Sequence, residues 1–388
     1  MSRDNFTRTT STSWLQRLGS AFGGILLGLA LLIGALVLLA GNEQRSVQAS
    51  RAADEAGRTI VSAPADRIDP VLDGQLVQVV GEVAATAPLI DEATGKSVTG
   101  LRLVREVEFY QWTESTSSET RTRMGGGQET VTTWSYAQGW SPDPVDSSGF
   151  AQPQGRTNPA PWTGDADLTP VEAQMGPYRL TQEALERLPA GETLRPTAAE
   201  AEAAAQRLGR PVTVVDDALY VGQDPAQPQV GDVRIRYAMA PAGQVTVVGR
   251  QAGADLVPHA TSNGNEIFEL RAGNVPAAEV IRQVKEGNQI LSWILRGVGV
   301  LLLAIGFGLI LNPLKVLADV LPPLGALIGA GTGLVAVLLA VLVGGVTIAL
   351  AWLAVRPLVG LAALAVSGLA VAALVMSRRR GARGRGSR

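Results

Sequence analysis

The 388 residues suffice for two domains at roughly 100 to 200 residues each, yet the apolar ones gather in two blocks, 22–40 and 291–376. No cysteine occurs, which excludes a disulfide framework, a thiolate nucleophile, an iron–sulfur cluster and a lipid-modified thiol. The formal net charge of −2 conceals an asymmetry: Arg3, Arg8 and Arg17 precede the first block and six arginines follow the second, leaving 24 basic against 34 acidic residues in 21–376. An acidic middle lacks the basic surface that nucleic acid requires, so nucleic acid is excluded as its ligand.

Residues 1–21 read as a cytoplasmic N-terminus. The run FGGILLGLALLIGALVLLA, 22–40, has 19 apolar residues, about 28 Å of helix, which matches a hydrocarbon core. It exceeds a signal-peptide h-region, about 7–15 residues, and is followed by GNEQRSVQ, a poor cleavage context. A first transmembrane helix is expected. Because Lys and Arg beside span ends stay on the cytoplasmic side, both termini are read as cytoplasmic and residues 41–290 as extracytoplasmic. An even number of spans then divides the second block into three. The second span, 291–311, stops at Asn312-Pro313, since proline disfavours helix in the residue before it. Residues 312–332, with Lys315, Asp319 and Pro322-Pro323, read as a cytoplasmic amphipathic connector. A third span covers 333–354, Arg356-Pro357 makes a tight outer turn, and a fourth occupies 357–376 before the basic tail, 377–388. A second division breaks the block at the glycines near 343–345. Residues 41–58 and the helix expected from an Asn274 cap would form helical stalks continuous with the first two spans.

The 41–290 segment reads as β-rich with inserted helices, so the fold class is α+β. In 71–114, QLVQVVGEV and LRLVREVEFYQW are β-branched and aromatic-rich, as strands require. Alternation over 104–112 puts Glu106, Glu108, Tyr110 and Trp112 on one face, and Val107 and Phe109 on the other. Gly125, Gly126 and Gly127 supply the turn of a long hairpin. Residues 142–170, rich in Pro, Gly, Asn and Asp, form a loop. Thr197 with Glu200 is a capping box for a helix ending at Gly209. DVRIRYAM and QVTVVGRQ are the clearest strands of 211–271. The shared VVG of VQVVGEV and VTVVGRQ raises the idea of a duplicated small barrel.

Few residues carry chemistry. Glu106 and Glu108, two apart on one face, are close enough for one carboxyl to act as an acid; the alternative is a solvated strand face beside Tyr110 and Trp112. His259 is the single histidine, which excludes His-rich zinc sites, and no GxSxG elbow supplies a serine for it. No cofactor or metal site is expected. Arg296 and Arg356 are intramembrane charges near outer span ends, where arginine either acts or snorkels toward headgroups. No acidic residue lies within the assigned spans to serve as a proton relay, which weakens a transporter reading. Gly297, Gly299, Gly306, Gly308, Gly344 and Gly345 would let helices pack closely, and Trp293 and Trp352 suit an interfacial belt.

Five segments in order, VEFYQWTES (107–115), WSYAQGW (134–140), GDVRIRY (231–237), VTVVGRQAGADLVPH (245–259) and WLAVRPL (352–358), resemble the transmembrane protein 43 (LUMA) family. The resemblance covers about residues 22–376. It implies one N-terminal span, a large lumenal or extracytoplasmic domain, three C-terminal spans and self-association. In eukaryotes the family is associated with the inner nuclear membrane and with lamin and emerin partners. The alanine- and arginine-rich composition here reads as bacterial, which places the chain in a cytoplasmic (inner) membrane and leaves its protein partners unknown. The expected role is an oligomeric membrane-organising scaffold in contact with the lipid bilayer, with Glu108, Tyr110, Gln111, Trp112, Trp140, His259, Arg296 and Arg356 as candidate interaction or structural residues. The alternative is a lipid-acting enzyme at the domain–bilayer junction, using Glu106 or Glu108 with His259.

Overall fold

The computed structural model describes residues 4–85 and 87–355. The fourth expected span, Arg356 and the basic tail lie outside the described residues. The chain divides into two compact units. One comprises the first residues to Arg8, Ala52–Ser118 and Thr132–Gln283; the other comprises Thr9–Arg51, Glu119–Val131 and the chain from Val284 on. Five helices are described: α1 (Trp14–Thr59), α2 (Gln182–Glu186), α3 (Ala198–Leu208), α4 (Ala277–Ala318) and α5 (Pro322–Val355).

The first unit is β-rich, and its two main sheets draw strands from both of the β-rich stretches of sequence. In the larger, the strands Asp4–Thr12, Gln128–Ser141, Gly100–Thr122, Val233–Pro241, Ala218–Val221 and Val212–Val215 lie side by side in that order. The expected alternation is realised in the first half of Gly100–Thr122: Leu101, Leu103, Val107 and Phe109 are buried, while Glu106 is exposed and Glu108 half-buried. α3 covers this face with Ala201 and Ala204, and it has the expected capping box at Thr197 and a left-handed Gly209 at its end. Within that core Arg105 donates to Asp91, which also accepts from the Tyr237 hydroxyl. All three residues are buried.

The second sheet corrects the idea of duplication. The two VVG segments are neighbours in it: Leu76–Ala84 pairs antiparallel with Gly243–Ala252, Val79 opposite Val247. From Gly243–Ala252 the sheet continues through Asp255–Val257, Tyr178–Thr181 and Glu172–Met175 back to Leu76–Ala84, so five strands close into one small barrel. Val77, Val79, Met175, Tyr178, Leu180, Val247 and Leu256 fill the attached core. Closure leaves no free edge among these five. Gly81 permits it, since a Cβ there would lie 2.7 Å from Met175.

The expected stalk and first span are one helix, α1. α4 continues through Pro313 instead of stopping before it, at the loss of one backbone hydrogen bond. The expected connector is therefore a tight turn: 312–318 complete α4, Asp319–Leu321 reverse the chain, and Pro322 opens α5, where a missing N–H costs nothing. Among the described residues three helices are long and apolar enough to cross a membrane, with Trp14–Thr59, Ala277–Ala318 and Pro322–Trp352 as the candidates. α1 and α4 run antiparallel: Gly24 meets Leu309, Gly28 meets Gly306, Leu39 meets Gly299, and Asn42 donates to the Ser292 carbonyl. Of the six glycines expected to admit close packing, Gly299, Gly306 and Gly344 do so; Gly297, Gly308 and Gly345 have nothing within 4 Å.

Ion pairs buried at each end of this unit bracket charge-free helix, for no Asp, Glu, Lys or Arg occurs in 18–42, 297–314 or 320–352. At one end Arg17 pairs with Asp319 and donates also to the Gly126 carbonyl. The Trp14 indole donates to the Val316 carbonyl, and the Gly125 N–H to that of Val320. The hairpin turn, inside the stretch assigned wholly to an extracytoplasmic domain, thus packs with the N-terminal turn of α1. At the other end Glu43 pairs with Arg296. Arg17 and Glu43 are about 39 Å apart along α1, and Arg296 and Asp319 about 35 Å, at about 1.5 Å per residue.

Candidate functional site

The densest polar chemistry of the helical unit surrounds Arg296. Its Nε and Nη2 donate to the two carboxylate oxygens of Glu43 at 2.6 and 2.7 Å, a bidentate fork that suits a planar guanidinium. Glu43 is 1% exposed and accepts in addition from the Trp352 indole. The guanidinium carbon lies 4.7 Å from the Trp293 ring centre and 5.6 Å from that of Trp352. α1, α4 and α5 thereby meet through one cation, one carboxylate and two indoles. Arg296 and Glu43 need each other, because an uncompensated charge within a span is expensive.

Beside this cluster a cleft of about 320 Å³ follows the α1–α4 seam. Glu43, Ser46, Val47 and Ser50 of α1 line it at helical three-and-four spacing, and so do Lys285, Asn288, Gln289, Ser292, Trp293 and Arg296 of α4. The floor combines hydroxyls, amides, two cations and one carboxylate with indole faces. Trp293 is 68% exposed. Arg45 spans the seam nearby, donating to Asn288, Asn42 and Ser292. Its partners are all neutral, and its buried Nε has no hydrogen-bond partner among the described residues.

The other candidates are dispersed. Glu108 pairs with Arg236 of the adjacent strand at 2.8 Å, and Arg236 also reaches Asp217. Tyr110 packs edge-on against Trp140, whose other neighbours are Tyr220 and the Arg234 guanidinium, 4.0 Å from its ring centre. Gln111 is buried and secures the 142–170 loop, donating to the Asp143 carbonyl and accepting from the Val145 N–H. The Trp112 N–H donates to Asn158 of the same loop. These are framework contacts.

His259 belongs to a separate two-stranded ribbon, His259–Ala260 with Glu266–Ile267. It lines an open cleft of about 390 Å³ with Glu55, Thr59, Gln75 and Ser262. The Ser262 hydroxyl and N–H both donate to Glu55 and hold its carboxyl below the usual range. Among the described residues neither Glu106 nor Glu108 shares a hydrogen bond or ion pair with His259. The acid–histidine arrangement is therefore not assembled, and among the described residues no cluster of three or more His, Cys, Asp or Glu is arranged to hold a metal ion.

Sequence reasoning located Arg296, Trp293 and Trp352 but missed Glu43, Arg45 and Lys285. Glu43 lies three residues beyond the apolar run, so it was counted with the stalk. The available signal was Arg296 itself, an intramembrane cation that calls for a counterion on a neighbouring helix.

The chain resembles transmembrane protein 43 of Homo sapiens, 28% identical over 387 residues that cover 96% of this chain and 94% of the human protein. The Mus musculus protein is also 28% identical, covering 98% and 96%, and the Drosophila melanogaster homologue is 28% identical, covering 85% and 89%. No solved structure matches. The sequence profile of the family matches residues 109–357, more than half of the chain, and the chain belongs to the transmembrane protein 43 family.

Proposed function

We propose that this membrane protein is an oligomeric scaffold that organises the bilayer around it and meets partner proteins or lipids through its β-rich unit. The observation that carries this reading is the locking of α1, α4 and α5 by buried ion pairs at both ends, while the acid and histidine candidates stay apart in framework contacts. Such a body is built to hold a shape. Long apolar faces remain exposed on all three helices, for example Leu26, Ile33, Leu301, Leu338 and Val341, and these would meet lipid or another copy.

The arginine distribution favours cytoplasmic termini, and the composition favours a bacterial inner membrane. Against the alternative, a lipid-acting enzyme using Glu106 or Glu108 with His259, stands their separation. Light scattering or native mass spectrometry of the full chain in nanodiscs tests the proposal. A single defined oligomer is expected, and a monomer at all concentrations overturns it.

A further inference from the structure

We infer that the cleft along the α1–α4 seam binds one anionic phospholipid with a hydroxylated headgroup, its phosphate beside Arg296 and its polyol extending toward Lys285. The inference rests on membrane insertion alone and holds whether or not the chain self-associates.

The argument begins with charge. Arg45 and Arg296 lie in or beside the cleft, and its lining supplies one carboxylate, Glu43. That carboxylate is fully engaged by Arg296 and Trp352. Arg45 has neutral partners only, so its charge is uncompensated by any ion pair among the described residues. The excess is positive, and it sits where the charge-free helix ends, which is where a headgroup phosphate lies. Trp293 and Trp352 fix the same depth, since indoles concentrate at the boundary between acyl chains and headgroups. Arg296 spends Nε and Nη2 on Glu43, and its Nη1 carries no hydrogen bond among the described residues.

Shape and donors then select the headgroup. From Arg296 to Lys285 the cleft follows about 16 Å of α4 at about 1.5 Å per residue, longer than a phosphate needs. Its walls carry Ser46, Ser50 and Gln289. Hydroxyls and amides recognise a polyol by exchanging hydrogen bonds, whereas a trimethylammonium offers none. A glycerol or cyclic polyol headgroup therefore fits, and phosphatidylcholine does not.

The full chain would be reconstituted in nanodiscs containing equal phosphatidylglycerol and phosphatidylcholine, extracted gently, and its retained lipids counted by native mass spectrometry. One phosphatidylglycerol per chain is expected. Lys285→Ala and Trp293→Ala, which leave the Glu43–Arg296 pair intact, should each weaken retention roughly fivefold. Phosphatidylglycerol brominated near the headgroup should quench the wild-type tryptophan emission more than that of Trp293→Phe. Equal retention of both lipids, or retention and quenching unchanged in the variants, overturns the inference. Displacement of the lipid by millimolar glycerol 3-phosphate or inorganic phosphate would also overturn it, by assigning the cleft to a soluble phosphate compound.

Discussion

At the scale of single residues, Glu43 decides whether α1, α4 and α5 stay together, because Arg296 has no second carboxylate among the described residues. Removing one member of a buried pair costs about 3–5 kcal/mol, since the survivor is left charged and uncompensated. Glu43→Ala is therefore expected to lower the thermal midpoint in nanodiscs strongly. Glu43→Leu combined with Arg296→Met should recover most of the loss, and an equal loss in single and double variants would contradict this account. The β-rich unit has its own buried carboxylate. Burial pushes the Asp91 carboxyl up, but the hydroxyl of Tyr237 and the guanidinium of Arg105 outweigh it and hold the group below the usual range. A depressed acid stabilises the fold at pH above its unfolded value, about 3.9, and loses that contribution as pH falls through the folded value. Acid titration followed by near-ultraviolet circular dichroism should show tertiary structure lost below about pH 4. Asp91→Asn should be less stable at pH 7 and less sensitive to acid. Arg105 and Tyr237 were visible only as alternating strand positions; that they converge on Asp91 depends on a register that sequence does not print.

At the scale of elements, the hairpin turn shows how much one glycine can be asked to do. Gly126 has φ +80°, and a Cβ there would fall 2.3 Å from the Trp14 ring, whereas Gly125 has φ +88° with open space around it. Gly125→Ala should cost only the backbone strain, about 1–2 kcal/mol. Gly126→Ala should in addition displace Trp14 from the Val316 carbonyl, which limited proteolysis at Arg123 would report as faster cleavage. Equal cleavage in the two variants would contradict this. At the α1–α4 crossing, a Cβ on Gly28 would lie 2.7 Å from the Gly306 carbonyl oxygen. Gly28→Leu should accordingly destabilise by about 1–3 kcal/mol or more, as overpacking does, read from thermal midpoints. Elements whose signals are local were legible in the sequence: the strand alternation at 104–112, the Gly125–Gly127 turn, the Thr197 capping box and the apolar cores of α1 and α4. Elements fixed by remote partners were not. Pro313 looked like a terminus because the rule for proline weighs its own helix and not the neighbours that hold it. The two VVG segments looked like copies because pairing across 160-odd residues leaves no trace in either segment alone.

At the scale of the whole molecule, the composition and the two apolar blocks were enough to identify a membrane protein with a β-rich body, and the five ordered segments were enough for the family. The closed five-stranded barrel and the cleft were beyond reach, since both arise from long-range pairing of segments that look ordinary singly. The absence of cysteine makes one architectural test direct. Single cysteines at Ser11 and Met124, both exposed positions, are expected to react with an impermeant maleimide from the same face of a sealed vesicle, and one at Gln44 from the opposite face. Labelling of Met124→Cys together with Gln44→Cys would contradict the packing of the hairpin turn against the start of α1.

The two buried ion pairs carry a further consequence, for the choice of membrane. Helices that outgrow a bilayer ordinarily tilt or slide past one another until their apolar length fits. Here Arg17 is fastened to Asp319 and Glu43 to Arg296, so α1 and α4 cannot shift in register without breaking a desolvated pair. The charge-free length between the fastenings, about 35 Å, exceeds a hydrocarbon layer of about 30 Å. Accommodation then falls to a tilt of the bundle as one body or to the lipid, which would thicken around it or be exchanged for a region where it already is thick. A rigid bundle of this kind is a gauge, and it would gather the membrane, or its own copies, to its measure.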